Sequence, residues 1–267
     1  MKKYLSFFRL RFVMGLQYRT AAWAGVATQF VWGGMEIAVF RAFYEAEPER
    51  FPMTFQATVN YIWLQQAFLA LFAAWLLENE IFESIRDGNI AYEMCRPLRI
   101  YPMLFVRGGA VRTSKAVLRC LPILVFASAA PDPYRLSPPA HGGTMCFFVL
   151  TMILGTLVTV AFGTLIYVIT FFTISAQGLR LLVTSVMDFF NGSIIPIPFF
   201  PPGMRIVMEL LPFAAMQNVP LRIFSGELTG ERAIGAFVLQ VLWLVVLVIL
   251  GDRLMKRAEK KLSVQGG

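Results

Sequence analysis

Two acidic side chains lie within long apolar stretches of the sequence, where an ionised group is costly to bury. Glu36 lies in the first of these stretches, and Asp188 lies near the middle of the fifth. Acids placed in this way are candidates for lining a substrate path or a gate. A structural interpretation stays open, in which each acid lies at a subunit contact or is neutralised by a polar neighbour such as Arg41, Gln177 or Asn191.

Amide side chains in the same stretches add neutral hydrogen-bonding groups. The first two stretches contain Gln29, Asn60, Gln65 and Gln66. Such groups either pair across helices or line a polar path, and pairing is the more common role. The residues that we assign to a candidate substrate path are Gln29, Glu36, Gln65, Asp188 and Asn191.

Motifs for several kinds of chemistry are missing from the sequence. No Gly-x-x-x-x-Gly-Lys-Ser/Thr occurs, so the chain has no P-loop for ATP, and no Gly-x-Ser-x-Gly occurs. The single histidine, His141, is too few for a metal cluster or a histidine-based triad. The three cysteines are too scattered for a zinc site or a disulfide framework. We therefore expect no catalytic residue, no metal and no cofactor bound by this chain.

The segment from Glu78 to Arg99 is unusually rich in charge. It contains eight charged residues in a protein that is 15% charged overall. Ile81, Ile85 and Tyr92 recur at helical spacing, which predicts an amphipathic helix with these side chains on or near one side. A charged helix between two apolar stretches is typical of a surface that contacts another protein.

The composition predicts an all-α integral membrane protein. The 267 residues are 57% apolar, and several uncharged stretches reach the length of roughly 20 residues that a helical span requires. Lys and Arg of such proteins collect on the cytoplasmic side, so the net charge of +8 reflects orientation rather than nucleic-acid binding. Membrane lipid is an expected partner, and nucleic acid is not.

Six transmembrane helices account for the apolar stretches. We predict the spans at 23–43, 56–77, 104–129, 143–174, 177–195 and 234–250. The fourth is predicted as one long helix, because a turn near Gly155 or Gly163 at membrane depth would leave backbone groups unpaired. Basic residues recur at helical spacing at the start of the third span, so its first turns are expected to protrude into the cytosol or face a wet cavity: Arg107, Arg112, Lys115 and Arg119.

Three further elements complete a single membrane domain over 1–267. Residues 1–20 form a basic amphipathic helix expected in the membrane interface, or simply the charged lead-in to the first span. The shared apolar face consists of Leu5, Phe8, Phe12 and Leu16. Residues 78–100 form the charged segment. Residues 196–232 contain short apolar pieces broken by prolines, which predict a short external re-entrant or interfacial hairpin between spans five and six.

The distribution of basic residues predicts the orientation. With six spans, both termini lie on one side, together with the charged segment, and that side carries 18 of the 24 Lys and Arg residues. The excess of positive charge on the cytoplasmic side of membrane proteins therefore places both termini in the cytosol.

Two stretches resemble the membrane subunits of type-2 ATP-binding-cassette transporters, in particular a bacterial subfamily with six spans. The first is Ile85–Leu98, which reads IRDGNIAYEMCRPL and combines a glycine, a short amphipathic stretch and an Arg-Pro-Leu end. The second is the proline-rich Ile195–Gly203, IPIPFFPPG, continued by LLPF at 210–213 and VPLRIF at 219–224. Their order and placement match the family's region after span two and its short external helices before span six.

The resemblance implies a permease subunit of an ATP-driven transporter, expected to be an exporter in the bacterial cell (inner) membrane. Two such subunits, identical or paired with a sister permease, would form the path and dock two cytosolic ATPase subunits. ATP and Mg²⁺ would be bound by those partners. The N-terminal helix would be the family's interfacial helix, and residues 78–100 would carry its coupling helix.

The expected ATPase-coupling residues all lie in that segment. A polar rim would consist of Glu80, Glu83, Arg86, Asp87 and Glu93, and apolar anchors would be Ile85, Ile90, Tyr92 and Met94. The motif adds Gly88, Arg96 and Pro97. The alternative function is an ion-coupled secondary transporter or a channel-like protein that uses Glu36 or Asp188.

Overall fold

The computed structural model describes residues 2–94, 97–139, 141–173 and 175–260, with the backbone alone for Met94. Over these residues the chain is helical and has no strand, as predicted. The α-helices are α1 (Lys2–Gly15), α2 (Arg19–Ala46), α3 (Phe55–Phe72), α4 (Asn79–Arg86), α5 (Ala91–Met94), α6 (Ile100–Ala129), α7 (Gly142–Thr170), α8 (Ala176–Phe190), α9 (Pro202–Leu210), α10 (Asn218–Phe224) and α11 (Gly230–Glu259). Single 3₁₀ turns occupy Pro48–Arg50 and Ile197–Phe199.

Among the described residues, two helices are long and apolar enough to cross a membrane on length and composition, α7 and α11. The other predicted spans correspond to α2, α3, α6 and α8. Helix α8 has 15 residues and is about 22 Å long, which is shorter than the roughly 30 Å of a bilayer's hydrocarbon core. The count of six spans and the external hairpin therefore stay predictions.

Helix α3 lies at the centre of the bundle. It packs against α2, α6, α7 and α10, and 14 of its 18 residues are buried. The helix begins where the Thr54 hydroxyl accepts a hydrogen bond from the Ala57 N–H at 3.1 Å. A helix that is apolar on all sides belongs in an interior, and α3 accordingly forms the core around which the other helices pack.

Polar side chains of α3 pair with irregular backbone around it. Asn60 donates to the Ser137 carbonyl at 3.0 Å and accepts from the Ser137 N–H at 2.9 Å. The Trp63 indole donates to the Tyr134 carbonyl at 2.9 Å. The Tyr61 hydroxyl donates to the Gly192 carbonyl at 3.1 Å. The pairing role predicted for Asn60 is confirmed, since it fixes the proline-rich loop between α6 and α7.

Helix α3 ends at Phe72, so the prediction of a span to residue 77 is wrong. The Arg112 guanidinium donates to the Leu71 carbonyl at 3.2 Å and to the Ala73 carbonyl at 2.9 Å. These bonds satisfy carbonyls that a helix leaves free at its end. Arg112 was expected to face water, but it is only 3% exposed. That expectation was wrong because the bundle itself supplies its acceptors.

Helix α7 confirms the prediction of one long helix, and the predicted end, residue 174, lies outside the described residues. Its glycines allow close packing instead of a turn. A Cβ at Gly155 would clash with the Met216 carbonyl oxygen, and a Cβ at Gly163 would lie 3.3 Å from Leu77. The bundle therefore closes tightly around the middle of α7.

The region between α8 and α11 departs from the prediction at two points. Helix α8 ends at Phe190, five residues early, and Gly192 follows with a φ of +81°. A side chain there would be strained, and a Cβ would lie 2.8 Å from the Tyr61 hydroxyl. Pro220 was expected to interrupt the second short piece. It instead lies in the first turn of α10, where its missing N–H leaves no hydrogen bond unmade.

Helix α10 is buried along its whole length and packs against α3, α7 and α11. Its charge is balanced by a closed network of two guanidinium groups and two carboxylates. Arg222 contacts Glu209 at 2.6 Å and also pairs with Glu227, while Arg205 contacts Glu209 at 2.9 Å and Glu227 at 3.0 Å. Burial alone would raise the pKa of Glu209, but Arg222 and Arg205 outweigh it and hold that pKa below its usual range.

Helix α1 lies lengthwise along α6. The Tyr4 hydroxyl accepts from the Arg99 N–H at 3.2 Å at one end, and Gly15 contacts the Ser114 side chain at the other. The two helices therefore run in the same direction and share one inclination. Of the predicted apolar face, Leu5 is exposed, and Phe8, Phe12 and Leu16 are partly buried. Tyr4, Phe7 and Arg11 are also partly buried. The location of this helix in the membrane interface stays a prediction.

Replacing Gly155 with alanine is expected to destabilise the protein, because the added methyl group meets backbone that cannot move away freely. Overpacking of this kind costs about 1–3 kcal/mol. Gly143 in the same helix has nothing within 4 Å of an added Cβ, so Gly143→Ala is the matched control. Thermal unfolding in detergent should show a lower midpoint for Gly155→Ala alone, and equal midpoints would contradict the close packing.

Acid is expected to weaken the Arg205–Glu209–Arg222–Glu227 network. Because the folded pKa of Glu209 is lowered, its ionised form stabilises the fold above the ordinary value of 4.5. That contribution is lost as the pH falls through the lower folded value. The thermal midpoint should therefore fall less between pH 7 and pH 4 in Glu209→Gln than in the unmodified protein. Glu231 is an exposed carboxyl at the start of α11, and Glu231→Gln should therefore keep the full pH dependence.

Candidate functional site

The base of the charged segment is fixed to α6 by ion pairs. Arg107 donates to both carboxylate oxygens of Glu78, at 2.7–3.1 Å, and to Glu80 at 2.9 Å. The Arg107 side chain is largely buried, which makes this pair less exposed to screening by salt. Burial and the nearby Arg107 lower the pKa of Arg11 in α1, while Glu78, Glu80 and Glu93 act in the opposite direction. Two guanidinium groups therefore share this set of carboxylates.

Contacts with α7 and α8 hold the first turn of α4. The Glu78 N–H donates to the Tyr167 hydroxyl at 2.6 Å, and the rings of Tyr167 and Phe82 lie 4.9 Å apart. The Arg180 guanidinium of α8 donates to the Asn79 side chain and lies 5.9 Å from the Phe82 ring centroid. The N-terminal end of α4 is thus bound to α7 and α8, in addition to the ion pairs with Arg107 of α6.

The underside of the segment is packed within its own chain. Ile81, Phe82, Ile85 and Ile90 are buried in one cluster with residues of α6 and α7 that include Leu104 and Ile166. The prediction that Ile85 and Ile90 are anchors for a partner is therefore wrong. Their apolar surface is used to seat α4 on the bundle.

The tip of the segment is exposed and is not one helix. Gly88 has a φ of +75°, which ends α4 and separates it from α5, so the predicted single stripe is broken. Tyr92 consequently does not share a side with Ile81 and Ile85, since it is 75% exposed while they are buried. The other exposed residues of the predicted set are Glu80, Glu83, Arg86, Asp87, Gly88 and Pro97.

Three predicted coupling residues have other outcomes. Glu93 is partly buried and contributes to the electrostatics around Arg11. Met94 is described only by its backbone, and Arg96 lies outside the described residues. We name the segment's exposed residues from 83 to 92 the coupling tip, after the role predicted for them: Glu83, Arg86, Asp87, Gly88, Asn89 and Tyr92.

A cavity of about 1290 Å³ opens between α2, α3 and α8. All five residues predicted for a substrate path line it: Gln29, Glu36, Gln65, Asp188 and Asn191. They come from three separate parts of the sequence, around residues 29–36, 65 and 188–191, so only the fold brings them together. Apolar side chains of α2 that are largely exposed, such as Trp32 and Phe43, form part of the lining, which leaves the cavity open on the α2 side.

Glu36 is held by amide groups and not by a cation. It accepts from the Gln66 amide at 3.3 Å and from the Gln65 amide at 3.5 Å. Gln65 also donates to the Ser193 carbonyl at 2.8 Å. Arg41, considered as a neutralising neighbour, instead pairs with Glu45 at 2.6 Å. Neutralisation of Glu36 by Arg41 is therefore contradicted.

Asp188 lines the same cavity from α8. Its carboxylate faces the Ala74 N–H, just past the end of α3. Its own carbonyl accepts from the Ser193 hydroxyl at 2.9 Å. Asn191, considered as its neutralising neighbour, uses its side-chain oxygen for the Ser193 N–H at 2.8 Å. Asp188 therefore joins the cavity wall to the chain that leads into α4.

Several buried amides of the lining have unused hydrogen-bonding groups. Within the described part of the chain, both side-chain polar atoms of Gln29 and of Gln217 have no partner, nor do the Gln65 oxygen and the Asn191 nitrogen. Gln29 is 3% exposed and Gln217 is 1% exposed. Buried polar groups are paired in most proteins, so these amides are exceptions, and the unpaired atoms themselves are covered by the surrounding side chains.

Sequence reasoning missed some residues of both regions. Gln66 was recognised as polar but was not placed on the path, and Gln217 was overlooked although it interrupts an apolar piece. Arg180 and Asn79 gave no signal, because they are 101 residues apart.

The described residues form a helical bundle with a large cavity, and a charged segment is attached to this bundle. These are features of a membrane transport protein. Residues 30–266 match the family model described as ABC-2 family transporter protein. The chain therefore belongs to the ABC-2 family, and it is a transmembrane permease subunit of an ABC transporter. A search of curated proteins finds no match.

Removal of the Arg107 side chain is expected to loosen the charged segment without unfolding the bundle. Breaking a buried, hydrogen-bonded ion pair costs about 3–5 kcal/mol, whereas an exposed pair contributes about 0–1 kcal/mol. Hydrogen exchange in residues 79–93 should therefore accelerate by on the order of tenfold or more in Arg107→Ala. Arg86→Ala, which removes the exposed pair with Asp87, is the control and should exchange nearly as the unmodified protein does. Equal rates in both variants would contradict the anchoring role of Arg107.

Proposed function

We propose that this chain works as an export permease that pairs with a second permease and is driven by two separate cytosolic ATPase subunits. The observation that carries the proposal is the arrangement of the segment from Glu78 to Tyr92. Its tip is exposed, and its base is fixed to α6, α7 and α8 by the contacts of Arg107, Tyr167 and Arg180. We expect a segment that is fixed at its base in this way to move as one unit with the bundle when a partner displaces its tip.

The route from the tip to the cavity is short. Residues 73–78 join the end of α3 to the start of α4, and two of their backbone groups are bound by other helices. Arg112 of α6 binds the Ala73 carbonyl, and Tyr167 of α7 binds the Glu78 N–H. Asp188 of α8 faces the Ala74 N–H between them. Ala73 and Trp75 also line the cavity. Displacement of α4 would therefore move part of the cavity wall.

The exposed face of α2 supports the pairing with a second permease. It presents large apolar side chains beside the open side of the cavity, including Trp32, Met35, Val39 and Phe43. Contiguous apolar surface next to a cavity favours a protein or lipid contact. In the proposed dimer, two such faces would enclose the substrate path between the subunits, with both termini of each chain in the cytosol.

The alternative of an ion-coupled carrier rests on Glu36 and Asp188. Membership of the ABC-2 family favours the ATP-driven mechanism over it. A proton-coupled carrier would stop when the proton gradient is collapsed with ATP still present, and an ATP-driven permease would continue. This comparison distinguishes the two mechanisms in membrane vesicles.

The sharpest test of the docking surface is Tyr92→Ala. Tyr92 is the large exposed side chain of the coupling tip, and aromatic anchors contribute strongly to protein interfaces. A pull-down of the full chain in mild detergent should recover an ATPase subunit and a second permease chain. The Tyr92→Ala variant should lose most of the ATPase while it retains the second permease, and its transport should fall accordingly. Arg86→Glu, a charge reversal on the same surface, should act in the same direction.

Tyr18→Ala is the matched control, because Tyr18 is 72% exposed but lies in the link between α1 and α2. It should recover the ATPase as the unmodified chain does. Unchanged recovery and unchanged ATPase stimulation in both Tyr92→Ala and Arg86→Glu would eliminate the coupling tip as the docking surface.

A further inference from the structure

The cavity has an unbalanced charge. Its charged lining consists of three carboxylates and one guanidinium: Glu36, Glu47, Asp188 and Arg50. Glu47 and Arg50 pair with each other at 3.1 Å. Over the described residues, neither Glu36 nor Asp188 forms an ion pair, since the polar groups that face them are the Gln65 and Gln66 amides and the Ala74 N–H. Two carboxylates therefore face the cavity without a cation to balance them.

An uncompensated carboxylate in apolar surroundings is unfavourable, and a cation that enters relieves the penalty. The donors that Glu36 has are weak, because 3.3–3.5 Å is longer than the usual N–H···O separation. Much of the interaction capacity of this carboxylate thus remains available to a ligand.

The walls suit an organic cation in particular. Aromatic rings form a large part of the lining: Trp32, Phe40, Phe43, Phe51, Phe72, Trp75 and Phe199. Aromatic faces attract ammonium and similar cations within about 6 Å of the ring centre, and the same rings cover apolar groups. A small metal ion fits less well, because the described residues include no group of three or more His, Cys, Asp or Glu that could hold one. The cavity volume of about 1290 Å³ also leaves room for a large organic molecule.

We propose that the cavity binds an organic cation with an apolar body, its positive charge at Glu36 and Asp188 and its body against the aromatic wall. The proposal rests on the proposed function, since it names the substrate class of that permease. The two proposals can be tested separately, because binding of a cation to the permease requires no ATPase.

The test uses two probes of the same shape and opposite charge, tetraphenylphosphonium and tetraphenylborate. Their binding to the full-length chain in lipid nanodiscs is measured by equilibrium dialysis, with empty nanodiscs subtracted. The phosphonium should bind at least about tenfold more tightly than the borate, and Glu36→Gln should weaken phosphonium binding by about tenfold or more. Glu45→Gln removes an exposed carboxylate of the same helix that pairs with Arg41 and lies off the cavity, so it should change nothing.

Asp188→Asn keeps the proposal testable if Glu36→Gln does not yield a well-behaved protein, and it should also weaken phosphonium binding. Equal affinity for the two probes, absence of saturable phosphonium binding, or unchanged binding in both cavity variants would overturn the proposal. Each of these results can occur while the pull-down still recovers an ATPase, in which case the proposed function stands. Loss of the ATPase partner with phosphonium binding intact would contradict the proposed function alone.

Discussion

Backbone polar groups inside an apolar bundle must find partners within the protein, and the rest of this structure depends on how α3 meets that requirement. Among the described residues, irregular stretches next to α3 include the loop at 130–139, the turn at 191–193 and the chain that follows α3 itself. The first two receive side-chain bonds from Asn60, Trp63, Tyr61 and Gln65. The third is bound by Arg112. The polar side chains of α3 that make these bonds therefore have a structural role, whether or not they also contact a ligand.

The same requirement links the cavity to the charged segment. Helix α3 ends about one turn before its hydrophobicity would require, and the chain that follows is bound at its backbone by Arg112 of α6 and Tyr167 of α7. Had α3 continued to residue 77, these groups would have paired within the helix, and α4 would have been joined to the bundle by a plain linker. The early end creates a short stretch that belongs to both the cavity wall and the base of α4.

Much of this organisation could be predicted from the sequence. Charge density located the segment at 78–99, the rule against turns in lipid predicted α7 as one helix, and the rarity of intramembrane polar groups selected five residues that line one cavity. The failures share a cause. Hydropathy could not locate the end of α3 or the burial of Ile85 and Ile90, because both depend on contacts with helices distant in sequence. Helical spacing also misplaced Tyr92, since it assumes an unbroken helix and Gly88 breaks it.

Arg112 and Glu36 show why buried charges in one bundle have different meanings. Arg112 is enclosed, and two carbonyl oxygens within 3.2 Å accept from it, so its charge is spread over fixed dipoles. Glu36 has longer and weaker bonds, borders a cavity that is open on one side, and lies near amides with nothing to bind. A charge that the fold satisfies completely is part of the scaffold. A charge that the fold leaves partly unsatisfied beside a cavity favours binding of a ligand, because the ligand supplies the opposite charge or the hydrogen bonds that the protein lacks there.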